Sequence, residues 1–75
     1  MKELVFGLHI SYKIMKDGEE IGSQTEEEWY NTRAEALAAA KNHPIGAVDG
    51  EYSDGAECVV DFVEIDEEPQ EVDFV

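Results

Sequence analysis

Every even position between residues 4 and 14 is apolar (Leu4, Phe6, Leu8, Ile10, Tyr12, Ile14), while the odd positions between them include Gly7, His9, Ser11 and Lys13. Successive side chains of a strand point to opposite faces, so this alternation predicts a long strand with one face toward a core. Asp17-Gly18 follows, a dipeptide suited to a two-residue turn in which both central residues take positive φ. With Lys16 opposite Glu19, the core side then pairs Ile14 with Ile21, Tyr12 with Ser23, Ile10 with Thr25 and Phe6 with Trp29. On the other side His9 meets Glu26 and Lys13 meets Gly22. Glu27 would fall on the inner face opposite Leu8, which predicts a bulge near residues 26–28 or a strand that peels away there.

Thr32-Arg33-Ala34-Glu35 fits a capping box, so a helix is expected from residue 33 to about 41 or 42. Ala34, Leu37, Ala38 and Lys41 share a stripe, and the run Ala38-Ala39-Ala40 lets the helix approach a sheet closely. Asn42 suits a left-handed cap, and His43 precedes Pro44, which disfavours further helix. A second hairpin follows over residues 45–53 and 57–65. A three-residue loop Asp54-Gly55-Ala56, with Gly55 left-handed, sets Tyr52 opposite Cys58, Gly50 opposite Val60 and Val48 opposite Phe62. That register places Asp49 opposite Asp61 on the outer side, although like charges facing each other weaken a ladder.

The expected fold is therefore α+β: a four-stranded antiparallel sheet in ββαββ order, with one helix packed on one face. That face is expected to carry Phe6, Leu8, Ile10, Tyr12, Trp29, Val48, Val60 and Phe62. Residues 1–65 form the single domain and residues 66–75 an acidic C-terminal tail. In the tail, 66–71 should be mobile and Val72-Asp73-Phe74-Val75 could add a strand, dock on a partner or fray. A homodimer through an edge strand or that last segment is a further expectation.

Nineteen acids against five bases give a formal charge of −14 at pH 7, and residues 44–75 contain no base. For a small soluble domain a net charge of about 2–8 in magnitude is enough, so the excess asks for a basic partner. Such a field repels nucleic acid and anionic membrane directly. A single cysteine, Cys58, excludes an intramolecular disulfide and fits a reducing cytoplasm. His9, His43 and Cys58 are the only groups beside the carboxylates with catalytic chemistry, and no nucleophile elbow or glycine-rich phosphate loop accompanies them. No enzyme, catalytic residue or cofactor is expected. Asp49, Glu51, Asp54 and Glu57 lack the fixed spacing of a calcium loop, so no metal site is expected either.

Carboxylates held at strand spacings of about 3.4 Å along and about 4.8 Å between strands can occupy a groove built for phosphates. Small size, a sheet with one helix, and acids such as Glu26, Glu28, Asp49, Glu51, Asp61 and Glu64 make the chain resemble a class of small acidic inhibitors encoded by phages and other mobile elements: the anti-CRISPR and anti-restriction proteins. The resemblance implies a nucleic-acid mimic in the host cytoplasm that blocks the DNA- or RNA-binding groove of a defence nuclease or CRISPR effector. Those six acids would be its partner-binding residues. The competing reading is an antitoxin or immunity-type module capping a basic toxin, since strand, Asp-Gly turn, strand and helix loosely resemble small antitoxins with a partial double-stranded-RNA-binding fold.

Overall fold

The alternating segment becomes β1 (Lys2–Lys16), the strand around which a computed structural model, describing residues 2–73, arranges the rest of the chain. It is followed by β2 (Glu19–Tyr30), α1 (Arg33–Ala40), β3 (Val48–Glu51), β4 (Glu57–Ile65) and β5 (Gln70–Asp73). The class is α+β, with an antiparallel sheet ordered β2-β1-β4-β3. A fifth strand corrects the expected four: β5, within the acidic C-terminal stretch, pairs with β1 from Lys2↔Asp73 to Val5↔Gln70. Phe74 and Val75, also expected in that segment, lie outside the described residues.

Asp17 (φ 53°) and Gly18 (φ 80°) make the expected turn, and the first pairs are Lys16↔Glu19 and Met15↔Glu20. Ile21 is then skipped. Ile14 pairs with Gly22, and from there every partner differs by one from the expected register: Ile10↔Glu26, His9↔Glu27, Leu8↔Glu28, Gly7↔Trp29 and Phe6↔Tyr30. A one-residue slip exchanges the faces of a strand, so this bulge, at Ile21 rather than near residues 26–28, brings Tyr30 instead of Trp29 to the core. Gly7 makes the exchange possible, because a Cβ there would lie 2.8 Å from the Trp29 ring.

Two more bulges reset the second hairpin. Gly55 is left-handed as expected (φ 91°), and the turn closes through Tyr52 N–H donating to the Ala56 carbonyl at 2.8 Å. Beyond it, Asp49 is skipped between Val48↔Val59 and Gly50↔Cys58, and Asp61 between Ser11↔Phe62 and Tyr12↔Val60. The loop itself is Ser53-Asp54-Gly55 rather than the expected Asp54-Gly55-Ala56, because Tyr52 already faces Ala56 and Glu51 faces Glu57. This shift of two, followed by the bulges, leaves the expected pairs of Tyr52 with Cys58, Gly50 with Val60, Val48 with Phe62 and Asp49 with Asp61 unformed. The like-charge pair of this ladder is Glu51↔Glu57.

The core is thin. Leu8, Ile10, Tyr12, Cys58 and Val60 form its buried centre, with Tyr30, Ala39, Ala40, Val63 and Ile65 packed against them. Phe6 is only half-buried, and Trp29, Val48 and Phe62, expected inside, are exposed. Leu4 is exposed while Val5 is buried, so the alternation reverses where β1 passes from β2 to β5. The radius of gyration is 14.8 Å, against about 11 Å for a globular chain of this length, and the body measures 48 × 24 × 16 Å.

Thr32, in extended geometry (φ −131°, ψ 153°), accepts from the Glu35 N–H at 3.1 Å and so starts the helix as expected. Only Ala36 is fully buried, and Ala39 and Ala40 complete the packed stripe; Leu37, expected in that stripe, is 42% exposed. Methyl-sized contacts let the helix lie close to β1 and β4, which turns the larger Leu37 aside. Lys41 ends the helix in right-handed geometry and the Asn42 and His43 N–H groups bond three residues back, so the expected left-handed Asn42 cap is not formed.

Candidate functional site

The bulges sort the carboxylates onto two unlike faces. On the helix side, Glu26 stands opposite Ile10 and Glu28 opposite Leu8. A strand that alternated without interruption would have carried both outward. Tyr12, itself 2% exposed, donates its hydroxyl to Glu26 Oε2 at 3.2 Å, and the Asp49 carboxylate approaches the same hydroxyl. Burial, first, and these two carboxylates push the Tyr12 hydroxyl far above its ordinary pKa of 10. Tyr30 donates to Glu28 in the same way, and that bond raises its pKa too. Farther along this face Tyr52 reaches Gln24 at 3.2 Å. The tyrosines hold the carboxylates in place.

The opposite face carries no helix. From β2 to β4 one row reads Glu27, His9, Glu64; the next Thr25, Ser11, Phe62; the next Ser23, Lys13, Val59, with Val48 beyond on β3. Met15, Glu57 and Glu51 close the sequence of rows. Of the six expected partner-binding residues, Glu51 and Glu64 share this face, Glu26, Glu28 and Asp49 share the helix side, and Asp61 occupies a bulge. The single outer carboxylate surface expected from an unbroken register is therefore divided.

His9 is the centre of an arrangement that the alternation did not foretell. Its Nε2 lies 2.9 Å from Asp66 Oδ1 and its Nδ1 3.5 Å from Glu27 Oε1, and the Trp29 ring meets it edge-on at 6.0 Å. The second Asp66 oxygen accepts from the Gly7 N–H at 3.0 Å and from Gln70 Nε2 at 2.9 Å. Asp66 N–H in turn donates to the Gly7 carbonyl, so a side chain continues the ladder where β4 gives way to β5. Asp66, expected in a mobile stretch, is tied down. The hydrogen bond to Asp66 raises the His9 pKa above 6.5, with the Glu27 charge adding to it against the opposing effect of burial; the same bond and the Gly7 N–H lower that of Asp66.

Cys58 is buried, as expected from its inward position, and burial raises its thiol pKa. Asp54 caps its own turn through the Ala56 N–H at 3.0 Å and pairs with Lys16 at 3.6 Å. Among the described residues no three His, Cys, Asp or Glu side chains converge as metal ligands, and no helix is long and apolar enough to cross a membrane. Between α1 and β4 runs an open groove bordered by Arg33, Leu37, Lys41, His43 and Ile45, which the sequence did not signal because Leu37 reads as core. In comparisons with known proteins, no family model, curated protein or solved structure matches the chain.

Proposed function

We infer that the protein is a non-enzymatic acidic inhibitor, whose carboxylates compete with nucleic acid for a lysine- and arginine-lined groove on a host defence nuclease or CRISPR effector. The observation that carries this reading is the number of carboxylates left without a cation. Of nineteen acids, five (Glu27, Asp54, Asp66, Glu67, Glu71) lie within 4.0 Å of a lysine, arginine or histidine nitrogen, which leaves fourteen without such a partner among the described residues, including Glu26, Glu28, Asp49, Glu51, Asp61 and Glu64. Solubility alone does not call for so large an excess, nor for Glu51 directly opposite Glu57.

The backbone holds these charges at spacings that suit the role. Residues two apart on one face of a strand lie about 6.8 Å apart, and neighbouring strands about 4.8 Å, while a nucleic-acid strand presents one charge per about 3.4 Å of axis. Tyr12 and Tyr30 further restrict Glu26 and Glu28, so less side-chain freedom is lost on binding. Association of this kind is fast and salt-sensitive, because exposed charges interact over only about 8 Å at physiological ionic strength.

The test is competition. A DNA-binding effector captured from nuclease-treated host lysate should lose labelled DNA when the protein is added, with affinity falling steeply as salt rises. Glu51→Lys, Asp61→Lys and Glu64→Lys together should abolish the competition while the chain stays folded. Full-strength blocking by that variant, or affinity unchanged between low and high salt, overturns the reading. Capture of one small basic toxin instead would replace it by the antitoxin class.

A further inference from the structure

The sheet has a helix over one face only, and the bare face is not simply acidic. Trp29 is 46%, Phe62 51% and Val48 50% exposed there. Single exposed apolar side chains are ordinary, but these are arranged. Val48 pairs with Val59, and Phe62 follows in the next row, so the three form one apolar patch across β3 and β4. Acidic rows border it on both sides, Glu27 and Glu64 about His9 on one and Glu57 with Glu51 on the other. Each aromatic also has a glutamate two residues away on its own strand and face: Glu27 beside Trp29, Glu64 beside Phe62. That separation is about 6.8 Å.

We propose that this helix-free face recognises arginine side chains of a protein partner, which stack on Trp29 and Phe62 while Glu27 and Glu64 accept their N–H groups. The proposal rests on the acidic-inhibitor reading and names the face and the side-chain chemistry. A guanidinium is planar, weakly hydrated and forked, so it can lie on an aromatic ring and still donate to a carboxylate beside it. An ammonium is a compact, strongly hydrated point charge that gains from the carboxylates and little from the apolar patch. Anionic membranes and nucleic acids are repelled by the flanking rows, and a second copy of this chain would set those rows against its own. The surface is also prepared in advance: Gly7 leaves the room in which Trp29 lies, and the His9 imidazole meets its ring at 85°.

The experiment uses two peptides of equal length and charge, one rich in arginine and one in lysine, titrated calorimetrically into the full chain at low salt. Trp29 is the only tryptophan, so its emission reports contact on this face independently. The arginine peptide should bind about tenfold more tightly than the lysine peptide and shift the Trp29 emission. Trp29→Ala with Phe62→Ala should reduce arginine-peptide affinity to the lysine level and leave lysine-peptide affinity unchanged, while Trp29→Tyr keeps the preference. Circular dichroism of each variant should match the parent. Equal affinity for the two peptides, or a double variant that still prefers arginine, overturns this proposal and leaves the charge-based reading standing. Binding of neither peptide overturns that reading and this proposal together.

Discussion

The two faces of β1 are made by alternate residues of one strand, yet they do opposite things. Leu8, Ile10 and Tyr12 are buried against α1 and its surroundings, whereas His9, Ser11 and Lys13 remain half-open between glutamates and exposed aromatics. Carboxylates follow the same division: on the covered side tyrosine hydroxyls hold Glu26 and Glu28, and on the bare side Glu51, Glu57 and Glu64 form no ion pair among the described residues. An eight-residue helix contacting the sheet through alanines can supply one layer of cover. In so small a chain the stability must come from one face, which leaves the other available for recognition.

The sharpest way to break this contrast is to remove methyl groups from the covered side. Leu8→Ala or Ile10→Ala should cost about 2–5 kcal/mol, enough to unfold much of a protein with so thin a core, as urea denaturation would show. Leu37→Asp, at a position that helical periodicity alone marks as core, should change stability by no more than about 0.5 kcal/mol. Equal losses at the two positions would mean that the helix lies differently on the sheet.

Gly7→Ala probes the bare side at its most crowded point. A Cβ there would lie 2.8 Å from Asp66 Oδ2, from His9 Nε2 and from the Trp29 ring. Relieving those contacts should cost about 1–3 kcal/mol and shift the Trp29 emission. An unchanged spectrum with unchanged stability would show that this corner has no fixed arrangement.

Tyr12→Phe tests whether the covered-side carboxylates depend on their hydroxyl. Loss of the bond to Glu26, with Asp49 beside it, should reduce stability by about 1 kcal/mol in denaturant titration, with the fold retained. A variant as stable as the parent would place Glu26 in solvent, as free as the acids opposite.

The smallest effect expected is that of His9. Because its pKa in the folded chain is raised above 6.5, its contribution is complete below about 6.5 and is lost as pH rises through the raised value. Stability should therefore decline over that window. Asp66→Asn should flatten the decline and lower the His9 pKa measured by nuclear magnetic resonance, whereas a pKa unmoved by that substitution would dissolve the pair.

Local rules were readable without tertiary information. The long first strand with Leu8, Ile10 and Tyr12 on its buried face, the positive φ values at Asp17-Gly18 and Gly55, and the Thr32 cap each depend on a few neighbouring residues, and each appears as the sequence implies. The acidity that motivates the functional reading is likewise a property of composition. Three skipped residues, Ile21, Asp49 and Asp61, were decided only in the assembled sheet, because a bulge trades a ladder bond for better packing between segments distant in sequence. Each moves the following side chains to the other face. Tertiary structure therefore determined that Tyr30 rather than Trp29 enters the core, that Asp49 turns toward Tyr12 rather than Asp61, and that aromatics and glutamates meet on a face with no helix above it.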